Sequence, residues 1–552
     1  MSGRENEKIK KKNILVVWRG DMNNNEELTV ENLDHLGLIA GIIDELEIVR
    51  IINETIPAER GEKISAGLVV KALLLNGLGF FSSPLYLFPR FWLGKSTKHL
   101  LGEQISVDWL NDDKIGRVMD KIYLKGLSSI FLSLALFACN KYNISTKDKH
   151  LDSTSFHLHG KYLSESPSVE ITGKEPKPIP IKISQGYSRD HRPDLKQFII
   201  DLICTSDGDI PLFVKIADGN ESDKAVFGEI ITKFQKEVNL EGIMVADSAL
   251  YSQNNLKMLE NISWISRVPL TLKSAENLIK QLPESSLVES GIKGYTLAET
   301  TSKYGGIAQR WLVVSSQSRR ESDLRKLSKK IEKELQLAEK ELRKISQEKI
   351  EKNSIIIELV KRLEKKLKYH QLSELIIGSV QKKKEYSISV KITQKETAIT
   401  AAKKQGGRFI LATNVLDKSE LTSSDILQKY KEQQSAERGF AFLKDPLFFT
   451  DSVFLKSPER IATLGMLMSL CLLVYTLGQR QIRLALNLRN MGLKNQLGRV
   501  TSRPTLRWLC QSFQAVHLVT ISGVKQITNL TDERLLILNL FPKPCQNYYL
   551  LS

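Results

Sequence analysis

The spacing of apolar residues changes character several times along the chain. After a polar, Lys-rich start, Ser65 to Asn76 places apolar residues at helical spacing and Gly77 and Gly79 interrupt it. Ser82 or Ser83 then stands in N-cap position for a helix through Trp92. Helix, glycine turn, helix is the outline of a DNA-binding helix-turn-helix, and equally of any helical hairpin. From residue 149 the texture is that of strands. HLDSTSFHLH, QFIIDLICT and IPLFVKIAD, the last two joined by the turn SDGD, predict a meander. A helical SDKAVFGEIITKFQKEV, a buried-type strand GIMVAD and a further strand SWISRV follow, which is an α/β order.

Residues 270 to about 405 interrupt that order. GYTLAET and QRWLVVSS flank the turn YGG and read as strands. Leu324, Leu327, Ile331, Leu335, Ala338, Leu342 and Ile345 then recur at steps of three and four among dense charges, which predicts a coiled-coil-like hairpin or long helix over 319–372. EYSISVKI and RFILATN return to strand, and Ser424 and Asp425 open another helix. Ile461 to Gly478 is an uncharged run at the lower limit for a membrane span, but it contains Thr463, Ser469 and Thr476 and stands alone. It reads as a buried helix, with no membrane as partner.

Charge and cysteine usage narrow the function. The 552 residues carry 80 Lys and Arg against 63 Asp and Glu, a net +17, which favours a polyanionic partner, nucleic acid first. The segment 319–370 contributes 17 Lys and Arg against 10 Asp and Glu. Five scattered cysteines with no C-x-x-C pair argue against a zinc site or a disulfide framework and for a reducing, cytoplasmic setting.

One helix has polar residues where a core stripe belongs. In YKEQQSAERGFAFLK, Tyr430, Gln433, Glu437, Phe440 and Lys444 fall on one face, yet three of the five are polar or charged. Asp152 in HLDST and Asp247 in IMVADSALY sit at or near the ends of apolar strands. Alone, each is an ordinary turn former or helix cap. Together with Glu437 they make a set of hard oxygen donors suited to magnesium, and two such ions about 3.5–4 Å apart activate the attacking oxygen and stabilise the leaving oxygen of a phosphodiester. Tyr430 and Lys444, two turns either side of Glu437, can meet a phosphate backbone. Arg192 in RDHRPD is a candidate phosphate contact, and Trp311 in QRWLVV a candidate for stacking on a base, with a core role as its alternative.

With these residues the chain resembles bacterial insertion-sequence transposases of the DDE type. Their signature helix reads Tyr, two residues, Arg, three residues, Glu, six residues, Lys. Tyr430, Glu437 and Lys444 match it, and Gln433 stands where arginine is expected, a hydrogen-bond donor without the charge. LDSTSFHLHG, GYSRDHRPDLKQ, VADSALYS, YGGIAQRWLVVSS, LNGLGFFSSPLYLFPRFW and SRPTLRW look like blocks of one subgroup, so the resemblance spans nearly the whole chain. It implies a ribonuclease-H-like catalytic core in two parts, 149–269 and 409–552, the second including a C-terminal helical region. A β-rich and coiled-coil insertion at 270–408 separates the parts, and a helical DNA-end-binding domain at 1–148 precedes them. It implies that Asp152, Asp247 and Glu437 are catalytic and hold two Mg2+ ions, with Mn2+ as a substitute. It further implies that Tyr430, Gln433 and Lys444 contact double-stranded DNA, at terminal inverted repeats and target, in a homodimeric synaptic complex. A catalytically inactive DNA-binding derivative, or a nuclease that cuts without joining, would share these residues.

Overall fold

The computed structural model describes residues 28–79, 88–160, 162, 178–187, 192–238, 240–347, 353–380, 385–445 and 455–551. The described residues open with strand β1 (Leu28–Asn32), and helices α1 (Leu36–Glu45), α2 (Ala66–Gly77), α3 (Asp112–Lys125) and α4 (Leu127–Lys141) follow. Ser65 caps α2 by accepting from the Leu68 amide, and Asn111 caps α3 by accepting from Lys114. The expected cap at Ser82 or Ser83 lies outside the described residues. Beyond them only Phe88–Phe91 is helical before Trp92, a single turn whose two phenylalanines are buried. The described part of this stretch is therefore a packed corner rather than a long recognition helix.

The centre is a mixed sheet built from β2 (Asp148–Leu158), β3 (Lys196–Thr205), β4 (Pro211–Ala217), β5 (Ile243–Ala246), β6 (Trp264–Val268), β7 (Val288–Glu289), β8 (Tyr295–Tyr304), β9 (Ile307–Ser316) and β12 (Arg408–Thr413). Their order across the sheet is β4-β3-β2-β5-β6-β12-β9-β8-β7. The meander β2–β4 is antiparallel, while β5 and β6 lie parallel to β2 and are reached through α5 (Asp223–Val238) and α6 (Gln253–Met258). Strands β7–β9 of the inserted segment do not build a sheet of their own. β12 pairs with both β6 and β9, so β7–β9 extend the central one. Outside the sheet stand α7 (Gln317–Gln347), α8 (Asn353–Lys366) and the hairpin β10–β11 (His370–Val380, Glu385–Gln394). Ile345, Ile356 and Val360 form a small core there, and Glu334 on α7 accepts from the amides of residues 368 to 370.

The expected catalytic helix is two helices, α9 (Ser423–Glu432) and α10 (Gln434–Leu443), meeting at Gln433. A capping box between Thr422 and Asp425 starts α9. α11 (Pro458–Leu488) contains the uncharged run. It is long and apolar enough to cross a membrane, but 94% of its apolar window is buried against α2, α3, α4 and β4. Past it, β13 (His517–Ile521) pairs with β1 and with β14 (Val524–Thr528), and α12 (Lys543–Asn547) packs on α1. One hydrophobic core thus runs from Leu33 to Tyr549.

Candidate active site

The two aspartates meet through strand register. Leu151 of β2 is paired with Ala246 of β5, and Ala246 with Ser266 of β6. One step further along these parallel strands, Asp152, Asp247 and Arg267 occupy neighbouring positions of a single row. Adjacent strands lie about 4.8 Å apart, and residues in one row point to the same face. Asp152 is in the middle of β2, buried, where the shorter β5 ends beside it. Its Oδ1 accepts from the Ser153 amide at 2.8 Å. The Asp247 Oδ1 accepts from the Ala249 amide at 2.8 Å, and its carbonyl accepts from Ser266 Oγ at 2.8 Å, which fixes the turn after β5.

α9 covers this face through Ile426 and Leu427, which pack on Val245, Ile265, Phe409 and Leu411. Tyr430 belongs to the same cluster, its ring 6.1 Å from that of Phe409. Burial raises the Tyr430 hydroxyl above its usual range. Asp247 and Glu437 add to the rise, and Arg267 and Arg319 oppose it, so all four charges act on one phenol. α10 lies over β2 and β3 with Ala436, Phe440 and Leu443 buried and Glu437 exposed. Tyr430, Gln433 and Glu437 line one open cleft of about 530 Å³, facing Arg319, Lys326 and Ser322 of α7. Lys444, at the far end of α10, holds its Nζ 5.8 Å from the Phe156 ring centre on β2, one helix length from the cleft.

Ion pairs clamp this helix pair to the sheet. Lys429 of α9 reaches Asp148 Oδ2 at 2.5 Å at the start of β2. Arg438, next to Glu437, forks onto Asp209 in the β3–β4 turn at 2.9–3.0 Å. The neighbouring Asp207 is held by Arg480 of α11 at 2.6 and 2.8 Å.

Two carboxylates in one row fit a hard divalent ion by donor chemistry. Glu437 is not gathered with them: among the described residues no three His, Cys, Asp or Glu side chains converge closely enough to hold a metal ion. Arg192 is exposed in the loop before β3 and forks onto Asp194 at 2.8 and 3.0 Å, pulling that carboxyl down to about 2. Trp311 corrects an expectation. It is 3% exposed, and its Nε1 donates to Tyr251 Oη and Gln309 Oε1, both at 3.1 Å, so it offers no face to a base. Its alternation with Arg310 in a strand buried on both sides is the reason. Arg267, Arg319 and Phe409 escaped the sequence reading. Arg267 offered only a lone arginine in an apolar strand, Arg319 one member of a charge run, and Phe409 an ordinary apolar position of RFILATN.

No curated protein matches this chain. A solved structure of the piggyBac transposase synaptic complex with hairpin DNA is similar over 93% of this chain and 80% of that one, at 10% identity and a TM-score of 0.37. Residues 28–136 match a domain of unknown function, DUF4277. The transposase DDE domain matches residues 150–474, more than half of the chain and the whole span that carries Asp152, Asp247 and Glu437, and the chain belongs to that family of transposases.

Proposed function

We propose that this transposase binds the terminal inverted repeats of its own insertion sequence, cleaves DNA there by metal-assisted phosphodiester hydrolysis, and joins the freed 3′ ends to target DNA. The observation that carries the reading is the row Asp152–Asp247 beside a cleft lined by Tyr430, Gln433 and Glu437. The strand order β4-β3-β2-β5-β6 supports a ribonuclease-H-like core as its frame. Asp152 and Asp247, with Glu437 drawn in from the cleft, would hold magnesium, or manganese in its place, and the metal would supply an activated oxygen and charge neutralisation at the phosphate. Tyr430, Gln433 and Lys444 orient the backbone, and Arg192 adds a phosphate contact at the mouth of β3. A net charge of +17 suits a chain that works on DNA in the bacterial cytoplasm, as a homodimer once two ends are paired.

The test is incubation of the purified protein with a labelled duplex from the DNA flanking its coding sequence and a target plasmid, with magnesium or with EDTA. Magnesium-dependent nicks at the element end and joined products are expected. Cutting without joined product would leave a nuclease, and binding without cutting a DNA-binding derivative.

A further inference from the structure

One arginine, Arg319, lines the cleft beside Tyr430, and it shares the Phe409 ring with a second, Arg267 of β6. The Arg319 guanidinium, in the first turn of α7, stands 5.3 Å from the Phe409 ring centre, and that of Arg267, on β6, stands 5.7 Å from it. Burial lowers the Arg319 pKa, and the like charge of Arg267 lowers it further, against the pull of Asp323. Asp323 answers it only in part. Its Oδ2 is 3.7 Å from Arg319 Nε and already accepts from the Gly407 amide at 3.0 Å, which leaves Nε buried with no hydrogen bond. A buried N–H without an acceptor is costly, and a second cation nearby adds repulsion to a side chain that is otherwise 40% exposed. Lys326 and Lys431 add positive charge to the same cleft, against Asp323 and Glu437. Opposite stands Gln433, buried and uncharged. Arg267, meanwhile, occupies the row position next to Asp247.

We propose that Arg319, backed by Arg267, is the phosphodiester-binding residue of this cleft, and that the inserted segment thereby supplies from α7 the positive charge that α9 and α10 lack at Gln433. A backbone phosphate seated between Arg319 and Tyr430 meets the exposed part of the Arg319 side chain and relieves the repulsion between the two guanidinium groups. A guanidinium is suited to this because its planar fork matches two phosphate oxygens. The assignment rests on the DNA-cleaving reading above.

The test is fluorescence-anisotropy binding of the labelled flanking duplex across a salt series, on the full chain. Arg319→Gln keeps a polar side chain and removes the charge that lies over Phe409. It is expected to weaken binding roughly tenfold and to flatten the plot of log affinity against log salt by about one unit. Arg319→Lys should keep most of the slope. Gln433→Arg placed on Arg319→Gln should restore it, because the charge returns to the same cleft, an outcome no structural role of Arg319 would give. An unchanged slope and affinity in Arg319→Gln, with the parent binding and cutting normally, would overturn the proposal. A parent that neither binds nor cuts the duplex would instead overturn the reading beneath it.

Discussion

At the scale of single residues, charge and position separate the roles. Glu437→Gln keeps shape and helix propensity but removes the charge that the proposed function assigns to metal binding. Metal catalysis contributes several kcal/mol at the transition state, and each ~1.4 kcal/mol is tenfold in rate, so strand cleavage should fall by roughly a thousandfold or more. Binding of the same labelled end should hold or tighten as repulsion from phosphate drops. Equal cutting by parent and variant would make Glu437 a solvated side chain. Lys444→Ala should slow cleavage or weaken the complex by on the order of tenfold, since a charged hydrogen bond contributes about 1.5–3 kcal/mol. Asp201 is a different case. It is buried on β3, receives Ser153 Oγ on one oxygen at 2.5 Å, and leaves its Oδ2 without a partner. Burial pushes its carboxyl up to about 7, with Ser153 and Lys215 pulling the other way. Between about pH 4 and that value the folded chain holds a proton that the unfolded chain has released. The stability this contributes is full below about pH 4 and is lost as pH rises through about 7. Asp201→Asn should therefore flatten the melting temperature against pH and, at about pH 8, stabilise by up to roughly 4 kcal/mol. A pH profile that stays parallel to the parent's would show that Asp201 is ionised in the fold.

At the scale of elements, most of the sequence reading survives, and what failed did so through tertiary contact. The strand meander, the helix–strand repeats and the charged helical hairpin were legible because each has its own period, and the structure has β2 to β6 and α7–α8 in those places. The break at Gln433 was not legible. Its backbone, φ −55° and ψ −21°, is still helical, and no Pro or Gly announces it. It arises because α9 packs on β5, β6 and β12, whereas α10 packs on β2, β3 and α11. The insertion of β12 between β6 and β9 was hidden for the same reason: pairing between strands more than ninety residues apart leaves no local pattern. Gly439 lies inside α10, where a glycine costs about 1 kcal/mol against Ala. The structure supplies the neighbour: a Cβ there would sit 3.0 Å from Leu472 Cδ2 of α11. Gly439→Ala should be nearly neutral, since a flexible methyl can yield and helix propensity rises. Gly439→Leu should overpack the contact, destabilise by about 1–3 kcal/mol and lower cleavage more than end binding as α10 lifts. Thermal melts beside the cleavage assay check both, and a Leu variant as active and stable as the parent would mean that α10 does not depend on this seat.

For the whole molecule, composition marks a boundary near residue 148 that packing does not respect. β1 pairs with β13 along its length, from Leu28 opposite Ile521 to Asn32 opposite His517. Gly41 of α1 lets α12 approach so closely that a Cβ would lie 2.3 Å from the Cys545 Cα. Buried Lys71 of α2 bonds Asp44 at 2.6 Å and Tyr548 Oη at 2.9 Å, and Tyr548 returns a bond to Asp44 at 2.5 Å, which closes a polar triangle between the two ends of the chain. Arg460 of α11 forks onto Asp120 of α3, with both contacts 2.8 Å. A fragment of residues 1–148 would expose the faces of α1 to α4 that α11 and α12 cover, and would leave Lys71 without Tyr548. Apolar burial contributes about 25 cal/mol per Å2, so losing those faces exceeds the few kcal/mol by which a domain is stable. The fragment is therefore expected to aggregate or to melt without a cooperative transition, and any end-binding contacts in the N-terminal region would have to be assayed in the full chain. Gly41→Leu in the full chain should give the same separation on a smaller scale, as early proteolysis of residues before 148. Circular dichroism on the fragment decides the matter: a soluble fragment with a sharp thermal transition would mean that the N-terminal helices fold on their own.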